Sequence, residues 1–378
     1  MKKVVIVILL LILAFTFVPI VSFADTLEDL EQEVADNLDK IDFSDVDDVT
    51  GGNLGGIGDK VMSIINGNFD GADTFIEFLT VLLGDSLKNI LPKLTAIFAI
   101  IVIMGLIRRT NGGMISAGTN EVVNFVGVTA VLATVLALVV SSYANVYRIL
   151  TQVSMLTETS MPILLTLLIA NGGNVASSVC QPSMVMFSTV VIKSIQTVVL
   201  PLSVFAMAFA VVGNISQNVK VNKMSSFLSG ASNWFLGCLF MVYSAFTSVQ
   251  GIAAASIDGV SYRAAKFATK SYIPILGGYL ADGFDIVVAS TSLIKNAFGV
   301  VALLALLFML AEPLMSVIAV NLGLQCVAAV SEPIADNRYT KILGGISKGL
   351  TFLAVLLIAV AFMFCILMLI AINCANGV

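Results

Sequence analysis

Glu312 stands beside Pro313 in the middle of the apolar stretch 297–330. A carboxylate in such a stretch is costly to bury in hydrocarbon and is therefore a candidate for function. Proline removes a backbone donor and crowds the carbonyl four residues back, which kinks a helix and frees a polar group. Two readings follow. In one, a broken helix lines a polar path and Glu312 faces it. In the other, the pair marks a helix–helix turn at an interface and Glu312 sits among headgroups.

Other chemistry-bearing residues are scattered. Lys193 and Lys295 precede apolar segments by a few residues, a placement from which lysine snorkels to the interface. Glu158, Asp258, Asp282 and Asp285 are separated carboxylates and form no acid–base pair by spacing. The chain has no histidine, which excludes Ser-His-Asp and Cys-His catalysis and histidine metal ligation. Its five cysteines (Cys180, Cys238, Cys326, Cys365, Cys374) form no CxxC pair. Asn171-Gly172-Gly173-Asn174 and Gly277-Gly278 are turn signals, and no Walker Lys-Ser/Thr follows them. No cofactor or metal is expected, and any energy source must come from a partner.

The elements that position these residues are membrane elements. Of 378 residues, 58% are apolar and 11% charged. A soluble domain has about half and a quarter, so the composition excludes an ordinary soluble enzyme and a disordered chain. The net charge of −5 is uneven: residues 25–48 hold 11 acids and one base, Lys40, whereas 49–378 hold 16 bases and 13 acids. No basic stripe suited to nucleic acid is present.

Lys2 and Lys3 precede an apolar run over 4–18, and Ser22-Phe23-Ala24 supplies small residues before a cut at Asp25. This is the pattern of a cleaved signal peptide, and an uncleaved first helix would equally place residue 25 outside the cytoplasm. Leu27, Leu30, Val34, Leu38 and Ile41 then form one apolar stripe on an acidic helix. A helix this short is marginal alone, so the stripe packs on the protein's own exterior face or docks to another protein. Five glycines between 51 and 58 make a linker, and 72–90 reads as an interfacial helix.

Six segments are long enough to cross a bilayer, which takes about 20 residues: 90–107, 122–140, 195–213, 231–250, 297–320 and 351–373. Starting outside, the connections expected inside carry Arg108-Arg109, then Lys220 and Lys223, then Arg338, Lys341 and Lys348, as the positive-inside rule asks. Regions 143–192 and 250–296 resist the scheme. They are re-entrant or interfacial helices, or the count rises to as many as eight. The second holds Arg263, Lys266 and Lys270, a basic face at helical spacing and a candidate contact for a partner or lipid.

A repeat at offset 112 is legible. Pro162-Ile163-Leu164 recurs as Pro274-Ile275-Leu276, and Pro201-Leu202 as Pro313-Leu314. Each copy then has a basic loop, a turn expected at Leu228-Ser229-Gly230 or Leu343-Gly344-Gly345, and a return span. Leu200 precedes Pro201 where Glu312 precedes Pro313, which favours the headgroup reading of Glu312. The expected fold is an all-α polytopic membrane protein of hairpins with a parallel internal repeat. Its parts are a signal peptide (1–24), an exported acidic helix, linker and interfacial helix (25–89), a first hairpin (90–142) and two repeat units (143–254 and 255–378).

One block is distinctive beyond hydropathy: Gln250-Gly251-Ile252-Ala253-Ala254, Asp258-Gly259-Val260, Arg263-Ala264-Ala265-Lys266-Phe267-Ala268 and Tyr272-Ile273-Pro274-Ile275-Leu276-Gly277-Gly278. With Asp285, Ser290 and Lys295-Asn296-Ala297 it resembles the stage III sporulation protein AE family. The resemblance implies a non-enzymatic subunit of the stage III A channel complex, in the mother-cell membrane around the forespore. It implies as partners a secretion-type ATPase, small membrane subunits, ring-forming subunits and a forespore-side protein. It carries over no catalytic residue. The rival reading is a stand-alone secondary transporter with Glu312 at a broken helix, which predicts polar residues at mid-membrane in paired helices.

Overall fold

The computed structural model describes residues 71–110, 117–170, 181–215, 221–272, 277–334 and 336–373. The signal segment and the acidic stripe Leu27, Leu30, Val34 and Leu38 lie outside the described residues. Among the described residues the fold is all helical: α1 (Gly71–Thr110), α2 (Ala117–Ala170), α3 (Gln181–Ser194), a π-helical turn (Ile195–Val199), α4 (Leu200–Ile215), α5 (Asn222–Tyr272), α6 (Gly277–Ser331) and α7 (Asn337–Asn373). Six stretches are long and apolar enough to cross a membrane, from Ser86–Ile107 to Asn337–Ile372. Each overlaps one of the six segments expected from hydropathy and is longer than it.

The helices are much longer than a bilayer needs. With 55 residues, α6 measures about 82 Å at roughly 1.5 Å per residue. Residues 143–170 prolong α2 without a break, 250–272 prolong α5, and 277–296 open α6. The expected interfacial helix 72–90 is likewise the first half of α1.

Two expected turns are helix instead. Leu228-Ser229-Gly230 lies inside α5 and Leu343-Gly344-Gly345 inside α7; α4 ends at Ile215 before α5 opens at Asn222, and α6 ends at Ser331 before α7 opens at Asn337. Glycine costs a helix interior only about 1 kcal/mol relative to alanine, and packing offsets that where a close approach is required. A Cβ on Gly345 would stand 3.1 Å from Cβ of Ala210 on α4.

The core is built on α6 and α7, which pack against each other as an antiparallel pair. Phe298, Val301, Ala302, Leu306 and Leu324 of α6 are buried, with Leu350, Leu353, Leu356, Leu357 and Leu367 of α7. A helix apolar all round must be enclosed, and α6 is surrounded by α1, α2, α5 and α7. Along α1 the alignment is parallel, since Gly105 faces Ile334 and Gly323 faces Leu94 at one constant offset. By contrast, α5 exposes Phe227, Trp234, Met241, Val242 and Val249, an outer face suited to lipid.

Helix continues through Pro92, Pro162, Pro201 and Pro313. Thr95 donates to the carbonyl of Pro92 at 2.9 Å, and Thr166 to that of Pro162 at 3.0 Å. Pro201 follows the π turn, where the N–H of Leu200 bonds to the carbonyl of Ile195. That wider turn gives the proline ring room against the preceding carbonyls. Pro313 is buried and α6 runs through it as one helix, so no helix–helix turn occurs at Glu312-Pro313.

Candidate functional site

Polar side chains between the helices form separate groups. Along α2 and the α3–α4 segment there are three rungs. Thr189 donates to Glu158 at 3.1 Å, Gln196 to the Thr151 hydroxyl at 3.0 Å, and the Tyr143 and Ser203 hydroxyls meet at 3.1 Å. Serine, threonine and glutamine suit such positions because an unpaired polar group in hydrocarbon is expensive. Glu158, read from sequence as an isolated carboxylate, also accepts from Ser154 at 3.2 Å. A second group, Asn321, Gln325, Ser347 and Thr351, joins α6 to α7.

The third group surrounds a half-open cavity of about 670 Å³ between α4, α5 and α7. From α5 come Asn222, Ser225, Ser226, Ser229, Ser232 and Asn233. Their spacing of three and four puts Ser225, Ser229 and Ser232 on one helical face. From α7 come Lys341 and Lys348, seven residues and so about 10.5 Å apart along the axis, with Gly344, Gly345 and Gly349 between and beside them. The α4 wall supplies Ser203, Asn214 and the apolar Ala206, Met207 and Ala210.

Most of these polar groups bond within the helices. Ser225 donates to the carbonyl of Ala206 at 2.8 Å, which ties α5 to α4. Ser226, Ser232 and Asn233 donate to carbonyls four residues back. The Ser229 hydroxyl, the Asn222 side-chain amide and both lysines have no bonding partner among the described residues, and no carboxylate lines the cavity.

None of the candidate contact or intramembrane residues named from sequence lines this cavity; Lys341 and Lys348 were read there only as charges of an inside connection, and Ser229, Gly344 and Gly345 only as turn residues. Glu312 is the one exposed residue between 290 and 321, whereas its neighbour Pro313 is buried. Arg263, Lys266 and Lys270 fall on the helical backbone of α5, with side chains outside those described. Lys193 is exposed, as snorkelling requires. Lys295 is a correction: it is fully buried and does not reach the surface. It faces inward from α6, which is covered on all sides there. Among the described residues no three carboxylate or cysteine side chains lie close enough to hold a metal ion. The signal that would have found the cavity is the serine spacing on α5 combined with the lysine spacing on α7. It requires knowing that both segments are helical through their glycines.

The family described as Stage III sporulation protein AE matches residues 57–377. Stage III sporulation protein AE of Bacillus subtilis (strain 168) is 28% identical over 216 residues. That match covers 57% of this chain and 54% of the relative, so it spans about half the relative's length. No solved structure matches. Every described helix falls within the family's matched stretch, from Gly71 in α1 to Asn373 in α7, and the chain belongs to the stage III sporulation protein AE family.

Proposed function

We propose that this protein is a non-enzymatic membrane subunit of a multi-protein channel complex that links mother cell and forespore during sporulation. Family membership supports the sporulation role. The observation that carries the subunit reading is Glu312. On the central helix, where 290–321 is otherwise enclosed, the one residue left uncovered is a carboxylate. An uncovered charge on an apolar helix is best stabilised by a polar group from another chain. The packed apolar centre of α6 and α7 also supports a pathway shared between chains rather than one bored through this chain.

The partners in this reading are a secretion-type ATPase, small membrane subunits, ring-forming subunits and a forespore-side protein. The protein sits in the mother-cell membrane around the forespore with its mature N-terminus outside the cytoplasm. The basic turn ends then lie inside, as the positive-inside rule asks. The test is an affinity pull-down of the tagged protein from engulfed sporangia in mild detergent, read by mass spectrometry. Recovery of the ATPase and ring-forming subunits supports the subunit reading. Recovery of the protein alone across several detergents would replace it with the stand-alone transporter.

A further inference from the structure

We propose that the cavity between α4, α5 and α7 binds a phosphate-bearing anion. This site does not depend on the channel role proposed above.

The charge balance is the first reason. Lys341 and Lys348 project from one face of α7 into a recess that, among the described residues, no carboxylate lines, and neither is ion-paired there. Two ammonium groups beside apolar walls, without a counter-charge, attract an anion more strongly than the same groups on an open surface. Both lysines are exposed, so the recess is reachable from solvent.

The donor set is the second reason. Besides the two ammonium groups, the Ser229 hydroxyl and the Asn222 side-chain amide have no bonding partner among the described residues. Asn222 is the first residue of α5 and lines the recess. The first intrahelical bonds there belong to Met224 and Ser225, whose N–H groups go to Val221. The start of α5 thus lies at the recess, where the helix dipole is positive. Donors arriving from two helices and a helix start suit an oxyanion with several acceptor oxygens. A phosphate group presents at least three.

The cavity's size and its second lining say what else the ligand carries. About 670 Å³ is several times what one phosphate fills. Ala206, Met207, Ala210 and Phe352 give the recess an apolar side next to its basic one. Gly349 lets α7 lie close against α4 at the apolar side, where a Cβ would meet Cε of Met207. A phospholipid headgroup with the start of its acyl chains fits this division, and so does a free phosphate anion with water filling the rest.

The experiment separates these two sources. Full-length protein in a neutral detergent is titrated with inorganic phosphate and followed by thermal unfolding. In parallel it is reconstituted in phosphatidylcholine with and without one-fifth phosphatidylglycerol, and retained lipid is counted by native mass spectrometry. Saturable binding in either arm, weakened at least tenfold by Lys341→Gln together with Lys348→Gln and about threefold by Ser229→Ala, is the expected result. Lys223→Gln, an exposed lysine at the same end that does not line the cavity, stays within twofold of the parent. A response to phosphate alone identifies a soluble anion, and a response to phosphatidylglycerol alone identifies a lipid headgroup. The proposal is overturned if neither probe binds saturably. It is also overturned if the lysine variants, each checked for an unchanged helical spectrum, bind as the parent does.

Discussion

Asn321 on α6 donates its side-chain amide to the Thr351 hydroxyl on α7 at 2.9 Å, across the two helices that form the centre of the bundle. Around this bond Gln325 donates to Asn321 Oδ1 at 3.1 Å and to the Ser347 hydroxyl at 2.9 Å. Ser347 in turn donates to Asn321 Oδ1. Asn321 is thus the hub. Asn321→Leu should lower stability by about 1–2 kcal/mol, the upper range for interhelical hydrogen bonds in membranes. Adding Ser347→Ala should cost less than the sum of the two single changes, because both remove the same bond. Thermal unfolding in detergent, carried out as a double-mutant cycle, measures this.

Two glycines should respond to alanine with opposite signs. A Cβ on Gly105 would meet both Cγ2 and the backbone carbonyl oxygen of Ile334 at 2.7 Å, and backbone cannot step aside. Gly105→Ala should therefore destabilise by about 1–3 kcal/mol, as overpacking does. Gly237 has nothing within 4 Å, so Gly237→Ala should stabilise by up to about 1 kcal/mol through helix propensity alone. The two melting temperatures, each set against the parent's, decide both signs.

At the α3–α5 contact Ser188 gives its proton to the Met184 carbonyl at 2.7 Å, which leaves Tyr243 to donate to Ser188 at 3.1 Å. Tyr243→Phe keeps the ring stacked near Phe187 and removes one hydrogen bond, at a cost of about 0.5–1.5 kcal/mol. Tyr243→Ala also empties a fully buried volume and should cost about 3–5 kcal/mol. A ratio near one between these two losses in chemical denaturation would show that the ring contributes little.

Glu312→Gln should leave the isolated protein within about 0.5 kcal/mol of the parent, since an exposed side chain without a partner among the described residues is being changed. The same change should reduce partner recovery in the pull-down and cut the yield of heat-resistant spores about tenfold. Parent-level recovery and spore counts would remove Glu312 as an interchain contact.

Hydropathy was enough to find the six spanning stretches, because a run of apolar residues longer than a bilayer has one common outcome. It was a poorer guide to where helices stop. Residues 143–170 carry Arg148, Glu158 and Pro162, each a reason to end a span. Yet α2 continues, with Glu158 bonded to Thr189 and the Pro162 carbonyl to Thr166. Gly230 and Gly344 looked like turns because glycine marks turns when neighbours are unknown. The cavity was hidden for a related reason: Ser229 and Lys341 are more than a hundred residues apart in the chain. Only the packing of α5 beside α7 makes them neighbours. Lys295 was misread because a lysine at the start of a span snorkels only if its helix has an open side.

The length of α6 sets a distance. A hydrocarbon core of about 30 Å, crossed at a tilt of 40°, takes up about 40 Å of helix. That leaves roughly 40 Å of the 55-residue rod standing clear of the lipid tails. The helices α1, α2, α5 and α7 pack against this rod, so a standoff at its end is set by a packed helix and not by a slack tether. Whatever meets that end is gauged by helix rise, and its height changes in steps of about 5.4 Å for each turn inserted or removed.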